Sequence, residues 1–131
     1  MNNERRKYPR VTVVGQANIL LSGVVRNGTL MKLSPSGIQI ECRCQLVEQL
    51  ANSKSDSGLF PEFELEFALP DSGGNKKHKR GRKTIKSTCH VSSCRRQRQD
   101  SYHLGLDFVS LDESDEKKVT EYINHASAAA A

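Results

Sequence analysis

Apolar and polar residues alternate with a period of two over most of the chain, and settle into a helical period only near its end. Val11–Leu21 is β-branched and aliphatic, bounded by Pro9 and by Ser22-Gly23, and predicts a strand. Arg26-Asn27-Gly28 predicts a hairpin turn. A strand near Thr29–Leu33 then stops at Ser34-Pro35-Ser36-Gly37, where Pro removes a donor and Gly permits positive φ. The cleanest alternation is Ile38–Leu46, with Ile38, Ile40, Cys42, Cys44 and Leu46 on one face and Gln39, Glu41, Arg43 and Gln45 on the other. Leu46, Val47, Leu50 and Ala51 have helical spacing for at most a turn or two before the polar Asn52–Gly58 loop.

Glu62–Leu69 alternates again, with Phe63, Leu65, Phe67 and Leu69 inward, until Pro70-Asp71-Ser72-Gly73-Gly74 breaks it. Lys83–Cys94 and Tyr102–Val109 predict two further strands joined by a polar loop; the second sets His103, Gly105 and Asp107 opposite Leu104, Leu106 and Phe108. Beyond Leu111, Asp112 and the acidic first turn open a helix whose Val119, Tyr122 and Ile123 share a face. About six antiparallel strands and one C-terminal helix, without βαβ alternation, point to a small all-β barrel or sandwich. The expected organisation is a basic arm over residues 1–10, a barrel with its helix over 11–125, and a disordered alanine-rich tail over 126–131.

Composition narrows the class. Leu, Ile, Val and Phe fill 30 of 131 positions, above the level of roughly 20% below which disorder becomes the default. No apolar run reaches the roughly 18 residues of a membrane span, and Met1–Arg10 does not resemble a secretory signal, so a cytoplasmic protein with no membrane partner is expected. Four cysteines in such a chain read as reduced thiols rather than a disulfide framework. The net charge is +5, but Arg5–Arg10, Lys76–Lys83 and Arg95–Arg98 carry +12 with Glu4 included, leaving −7 elsewhere. Three basic segments on an acidic body make an anion-seeking surface.

Two of these features carry a resemblance. Arg6-x-x-x-Arg10 in the opening ERRKYPR, and Ser34-x-x-Gly37 in MKLSPSGIQI about two dozen residues on, resemble the signature of the PilZ domain, RxxxR followed by (D/N)xSxxG. The downstream order is similar too: a strand like FELEFALP, a basic hairpin, then YHLGLDFVSLDESDEKKVTEYI as closing strand and helix. The resemblance spans about Glu4 to Asn124. It implies a six-stranded antiparallel PilZ-type β-barrel with a C-terminal α-helix. It also implies a non-enzymatic bacterial receptor for cyclic di-GMP that uses no other cofactor, and an output through a protein partner in motility, biofilm or exopolysaccharide control.

By the same resemblance, Arg6 and Arg10 are guanine and phosphate ligands, Ser34 a hydroxyl contact, and Gly37 the steric and φ-permissive position. Arg5, just before the motif, is the position associated in the family with an intercalated pair of ligand molecules. The chemistry suits those residue types. A cyclic dinucleotide offers two phosphates and two guanines, and arginine supplies both charge and bidentate donors. Lys32 stands where the family has Asp or Asn. An ammonium has three donors and no acceptor, so it cannot take the guanine N1–H and N2–H₂, though it can reach a phosphate or O6/N7. Losing one charge-assisted hydrogen bond costs about 1.5–3 kcal/mol. Gln39 and Arg43, on the outer face of the next strand, are the residues available to compensate.

Lys32 also motivates an alternative: a degenerate PilZ-fold adaptor acting through protein contacts without nucleotide. A nucleic-acid role for Lys76–Lys83 and Arg95–Arg98 is disfavoured, because no aromatics interleave with the cations. Cys42, Cys44, Cys89, His90 and Cys94 have ligand chemistry but no C-x-x-C knuckle, so no metal is assigned. The scattered histidines form no recognisable catalytic arrangement, and no enzyme is expected.

Overall fold

The computed structural model describes residues 10–69 and 83–130. Six antiparallel strands close into a barrel, with a two-residue strand added alongside and two helices. In chain order these are β1 (Val11–Thr12), β2 (Gln16–Leu21), β3 (Val24–Ser34), β4 (Gly37–Cys42), α1 (Cys44–Asn52), β5 (Phe63–Leu69), β6 (Lys83–Arg98), β7 (Ser101–Leu111) and α2 (Glu113–Ala130). The sheet runs β1-β3-β2-β5-β6-β7-β4, and a β3–β4 pairing closes it. Closure leaves no unpaired edge through the middle of the barrel. The inward residues of the alternating strands, among them Ile19, Leu33, Ile40, Leu65, Phe67, Ile85, Leu104 and Leu106, form one buried core.

Several elements depart from the sequence expectation, each for an identifiable reason. Val11–Leu21 is not one strand: Gly15 takes φ +146, its carbonyl accepts Leu30 N–H, and the chain is offset between β1 and β2. The first hairpin turns at Ser22-Gly23, both at positive φ and flanked by the pair Leu21↔Val24, not at Asn27-Gly28. Gly28 lies inside β3 opposite Ala17, where a Cβ would crowd Glu41 O and Ile40 Cδ1 at 3.3 and 3.2 Å. Its glycine serves close approach rather than a turn.

The third departure is at Cys42, where β4 ends; Cys44 and Leu46 open α1 instead of extending the strand. α1 has nine residues and buries Leu46 and Leu50. The fourth is the polar stretch Arg95–Arg98, which is strand rather than loop, paired with Ser101–His103 around Gln99-Asp100. It reads as a loop because the β5–β6 pairing runs only to Phe63↔Cys89, so the outer half of β6 has little apolar surface to cover.

α2 buries Val119 and Ile123, with Tyr122 half-buried, against the barrel end formed by β1, β3 and the start of β6. It continues to Ala130, through much of the tail expected to be disordered. Alanine has the highest helix propensity, and propagation from a packed helix needs no new nucleus. α1 sits at the other end, where Gln49 donates to Leu21 O and accepts from Arg26 Nε.

Candidate functional site

Where β1, β3, β4, β7 and β6 lie side by side, their outward residues fall in two rows. Lys32 pairs with Gln39, Gln39 with Gly105, and Gly105 with Ser93; one step along, Ser34 pairs with Gly37, Gly37 with Asp107, and Asp107 with His90. The glycines sit diagonally in this grid and leave its centre without side chains. The result is a cleft of about 220 Å³.

Arg10 reaches this cleft from the residue just before β1. The register Val11↔Leu33 and Thr12↔Lys32, continued by one residue, sets Arg10 beside Ser34. Arg10, Lys32, Ser34 and Gly37 therefore line one cavity, although 22 residues separate the first two. Arg5 and Arg6 lie outside the described residues, as do Lys76–Arg82.

Gly37 has no positive φ, contrary to the sequence expectation. Its role is purely steric: a Cβ there would collide with the Leu106 carbonyl oxygen of β7. The turn that presents it is internally tied. Ser34 Oγ accepts from Ser36 N at 3.3 Å and donates to Gly37 O at 3.4 Å, and Phe108 N donates to Ser36 O at 2.9 Å, fastening the turn to β7.

At Gly105 the crowding atom is Ser93 Oγ. A bulge between Val91 and Ser93 places Ser92 and Ser93 both on the cleft, and Ser92 Oγ donates to Gly105 O at 3.0 Å. Two successive side chains share one face because the bulge interrupts the alternation. Ser92, Ser93, Gly105 and Asp107 escaped sequence reasoning as site residues. Their signal was present in the outward glycine of YHLGLDFV, since a glycine inside a strand marks a close approach.

Of the two compensating candidates, Gln39 lines the cleft and Arg43 does not. Arg43 precedes α1 at the opposite end of the barrel, with its Nε 2.9 Å from Asp100 Oδ2. Asp100 also accepts the Cys44 N–H at 2.8 Å, capping a helix whose own N-cap residue, Arg43, makes no side-chain cap bond. The Cys44 backbone N–H, and then Arg43, hold the Asp100 carboxyl below its ordinary value.

The cysteines are all thiols. Burial pushes Cys42 up to about 12, with Cys94 nearby adding to the shift, and Cys89 up to about 11. Burial also raises exposed Cys94, whereas Cys44 is raised mainly by its hydrogen bond with Asp100. Such thiols are protonated at neutral pH and poorly nucleophilic. Among the described residues no three His, Cys, Asp or Glu side chains gather as a metal site, and no helix is long and apolar enough to cross a membrane.

No curated protein matches the chain. Solved structures do. The Bacillus subtilis inhibitor of motility MotI/DgrA superposes with a TM-score of 0.67 at 17% identity, over 95% of this chain and 52% of that one. The PilZ domain of Escherichia coli YcgR, solved with c-di-GMP, gives 0.62 at 13% identity, over 96% and 94%. Borreliella burgdorferi PlzA, also in complex with c-di-GMP, gives 0.57 at 11%, over 88% and 50%. The chain thus spans about half the length of the first and third, and at these identities the likeness concerns the fold. The family model described as the PilZ domain matches residues 4–125, nearly the whole chain, and places this protein in the PilZ domain family.

Proposed function

We propose that this protein is a cyclic di-GMP receptor that binds its ligand over the β3–β4–β7 face. The observation that carries this reading is the convergence of Arg10, Lys32, Ser34 and Gly37 on one cleft. Two cations with hydroxyl donors suit phosphates and the O6/N7 edge of guanine. The glycine positions give the flat ligand close access to the strand backbone. Two PilZ structures with c-di-GMP share the fold, which supports the choice of ligand.

In this reading Arg5 and Arg6 join Arg10 around the dianion, and Arg5 favours an intercalated ligand pair. Engagement of Arg5 and Arg6 by the dianion changes the exposed surface, and a protein partner in motility, biofilm or exopolysaccharide control distinguishes the two states. The protein acts by binding, in the cytoplasm, without catalysis. Lys32, which offers no acceptor, supports a second reading: an adaptor of the same fold that has lost the nucleotide.

Isothermal titration calorimetry with cyclic di-GMP, cyclic di-AMP and GMP at about 0.15 M salt separates the two. Selective binding of cyclic di-GMP, weakened about ten- to a hundredfold by Arg10→Ala, is the expected result, and a ratio near two ligands per chain accompanies the intercalated pair. No heat with the wild type, and binding gained in Lys32→Asp, would establish the adaptor instead.

A further inference from the structure

We infer that Asp107 is the residue that selects guanine in this cleft, an inference resting on the cyclic di-GMP reading. The side chains lining the cleft differ in what they can accept. Arg10 and Lys32 only donate, the serine hydroxyls do either, and Gln39 has one amide oxygen. Asp107 is the single carboxylate among the lining residues. Guanine presents two acceptors, O6 and N7, and two adjacent donors, N1–H and N2–H₂. Cations serve the first edge and are useless at the second, where one carboxylate takes both donors side by side.

The position of Asp107 fits that task. It lies directly across from Gly37 of β4 and two residues from Gly105 of its own strand, so no side chain covers it on the cleft side, while His90 of β6 stands on its other side. Its side chain is exposed, and among the described residues the ion pairs are Arg43–Asp100 and Lys118–Asp115, neither involving Asp107. The Phe108 N–H bond to Ser36 O fixes the next residue of β7 against the Ser34–Gly37 turn. The Asp107 backbone is therefore fixed beside Gly37, and its carboxylate lines the cleft.

Charge sharpens the point. A carboxylate lining a cleft for a dianion repels the phosphates, so its placement there weakens binding unless it contacts something other than phosphate. The guanine N–H edge is the part of the ligand for which it is suited. Lys32 and Asp107 would then divide the work, with Lys32 on phosphate or O6/N7 and Asp107 on N1–H and N2–H₂.

The test compares cyclic di-GMP with cyclic di-IMP, whose hypoxanthine lacks only the N2 amine, by calorimetry on the full chain and on Asp107→Ala and Gln39→Ala, with thermal unfolding of each. Wild type is expected to prefer cyclic di-GMP by about tenfold, the worth of one charge-assisted hydrogen bond. Asp107→Ala should fold normally and lose that preference to within about twofold, while Gln39→Ala keeps it. Unchanged preference in Asp107→Ala would overturn the assignment. So would an equal gain in affinity for both ligands, which would mark Asp107 as a repulsive surface charge, or loss of preference in Gln39→Ala instead. If wild type binds neither dinucleotide, the receptor reading itself fails and takes this assignment with it; binding without Asp107 dependence sinks the assignment alone.

Discussion

Among the described residues, two polar clefts on the barrel surface differ in what the fold has already done with some of their polar groups. One is the glycine-floored cleft between Arg10, Lys32 and Asp107; the other, of about 270 Å³, lies between β5, β6 and the start of α2 and is lined by Glu64, Lys86, Ser87, Asp112 and Asp115 among others. In the second, Asp115 is 9% exposed, accepts the Lys86 N–H at 3.2 Å, and lies 3.5 Å from Lys118 Nζ. Ser87 Oγ donates to Leu65 O. Asp115 thus fastens α2 to the barrel, and Ser87 ties β6 to β5. In the first cleft, Ser92 and Ser34 are tied to the backbone, whereas among the described residues the charged groups of Arg10, Lys32 and Asp107 have no ion-pair partner. Neither size nor unpaired charge separates the two, since Glu64, Lys86 Nζ and Asp112 of the second cleft have no ion pair among the described residues either; the side chains missing at Gly37 and Gly105 do.

The largest effect is expected where the missing side chain is restored. Gly37→Val puts atoms into the space of the Leu106 carbonyl and must push β4 from β7. Overpacking of this kind costs about 1–3 kcal/mol. Urea denaturation should show that loss, and calorimetry should show no cyclic di-GMP binding, since the floor of the cleft moves with the strands. A Gly37→Val protein with wild-type stability and affinity would remove the steric account of this glycine.

A middle-sized effect belongs to the second cleft. Asp115→Ala deprives Lys86 N–H of its acceptor in a half-buried setting, at a cost of about 1–3 kcal/mol. Thermal unfolding should fall accordingly, and cyclic di-GMP affinity should stay at the wild-type value. Together with Gly37→Val, this variant splits stability from binding; a change in affinity would break the contrast between the clefts.

Much of this was legible before any coordinates. Alternation alone identified the cores of β4, β5 and β7, and Ser34-x-x-Gly37 and Arg10 were found as motif residues that the fold then brings together. What alternation could not reveal was long-range pairing. Asp107 and Ser93 come to the cleft only through the β4–β7–β6 register, and the bulge that turns Ser93 outward beside Ser92 leaves no mark in composition. Asn27-Gly28 misled because the turn dipeptide and the close-packed glycine look alike in sequence, and only Glu41 O and Ile40 Cδ1 tell them apart. The start of α1 was missed for a similar reason: its cap comes from Asp100, 56 residues away.

That borrowed cap yields the smallest effect and a direct check on which carboxylates the fold has committed. Asp100 is held below its ordinary value by the Cys44 N–H and by Arg43. A carboxyl whose folded value lies below its unfolded one adds stability above the unfolded value, near 3.9 for aspartate, and loses it as pH falls through the folded value. Wild type should therefore exceed Asp100→Asn in urea resistance at pH 6, and the gap should close as both are taken toward pH 3. Because Asp100 is open to solvent, added salt should narrow the Arg43 share while leaving the contact with the Cys44 N–H. Asp107, with no ion pair among the described residues, should show no such loss of urea resistance in Asp107→Asn at pH 6. An equal loss in the two variants would mean that Asp100 and Asp107 are alike in their commitment to the fold, and the distinction between a carboxylate that builds and one that binds would have to be drawn elsewhere.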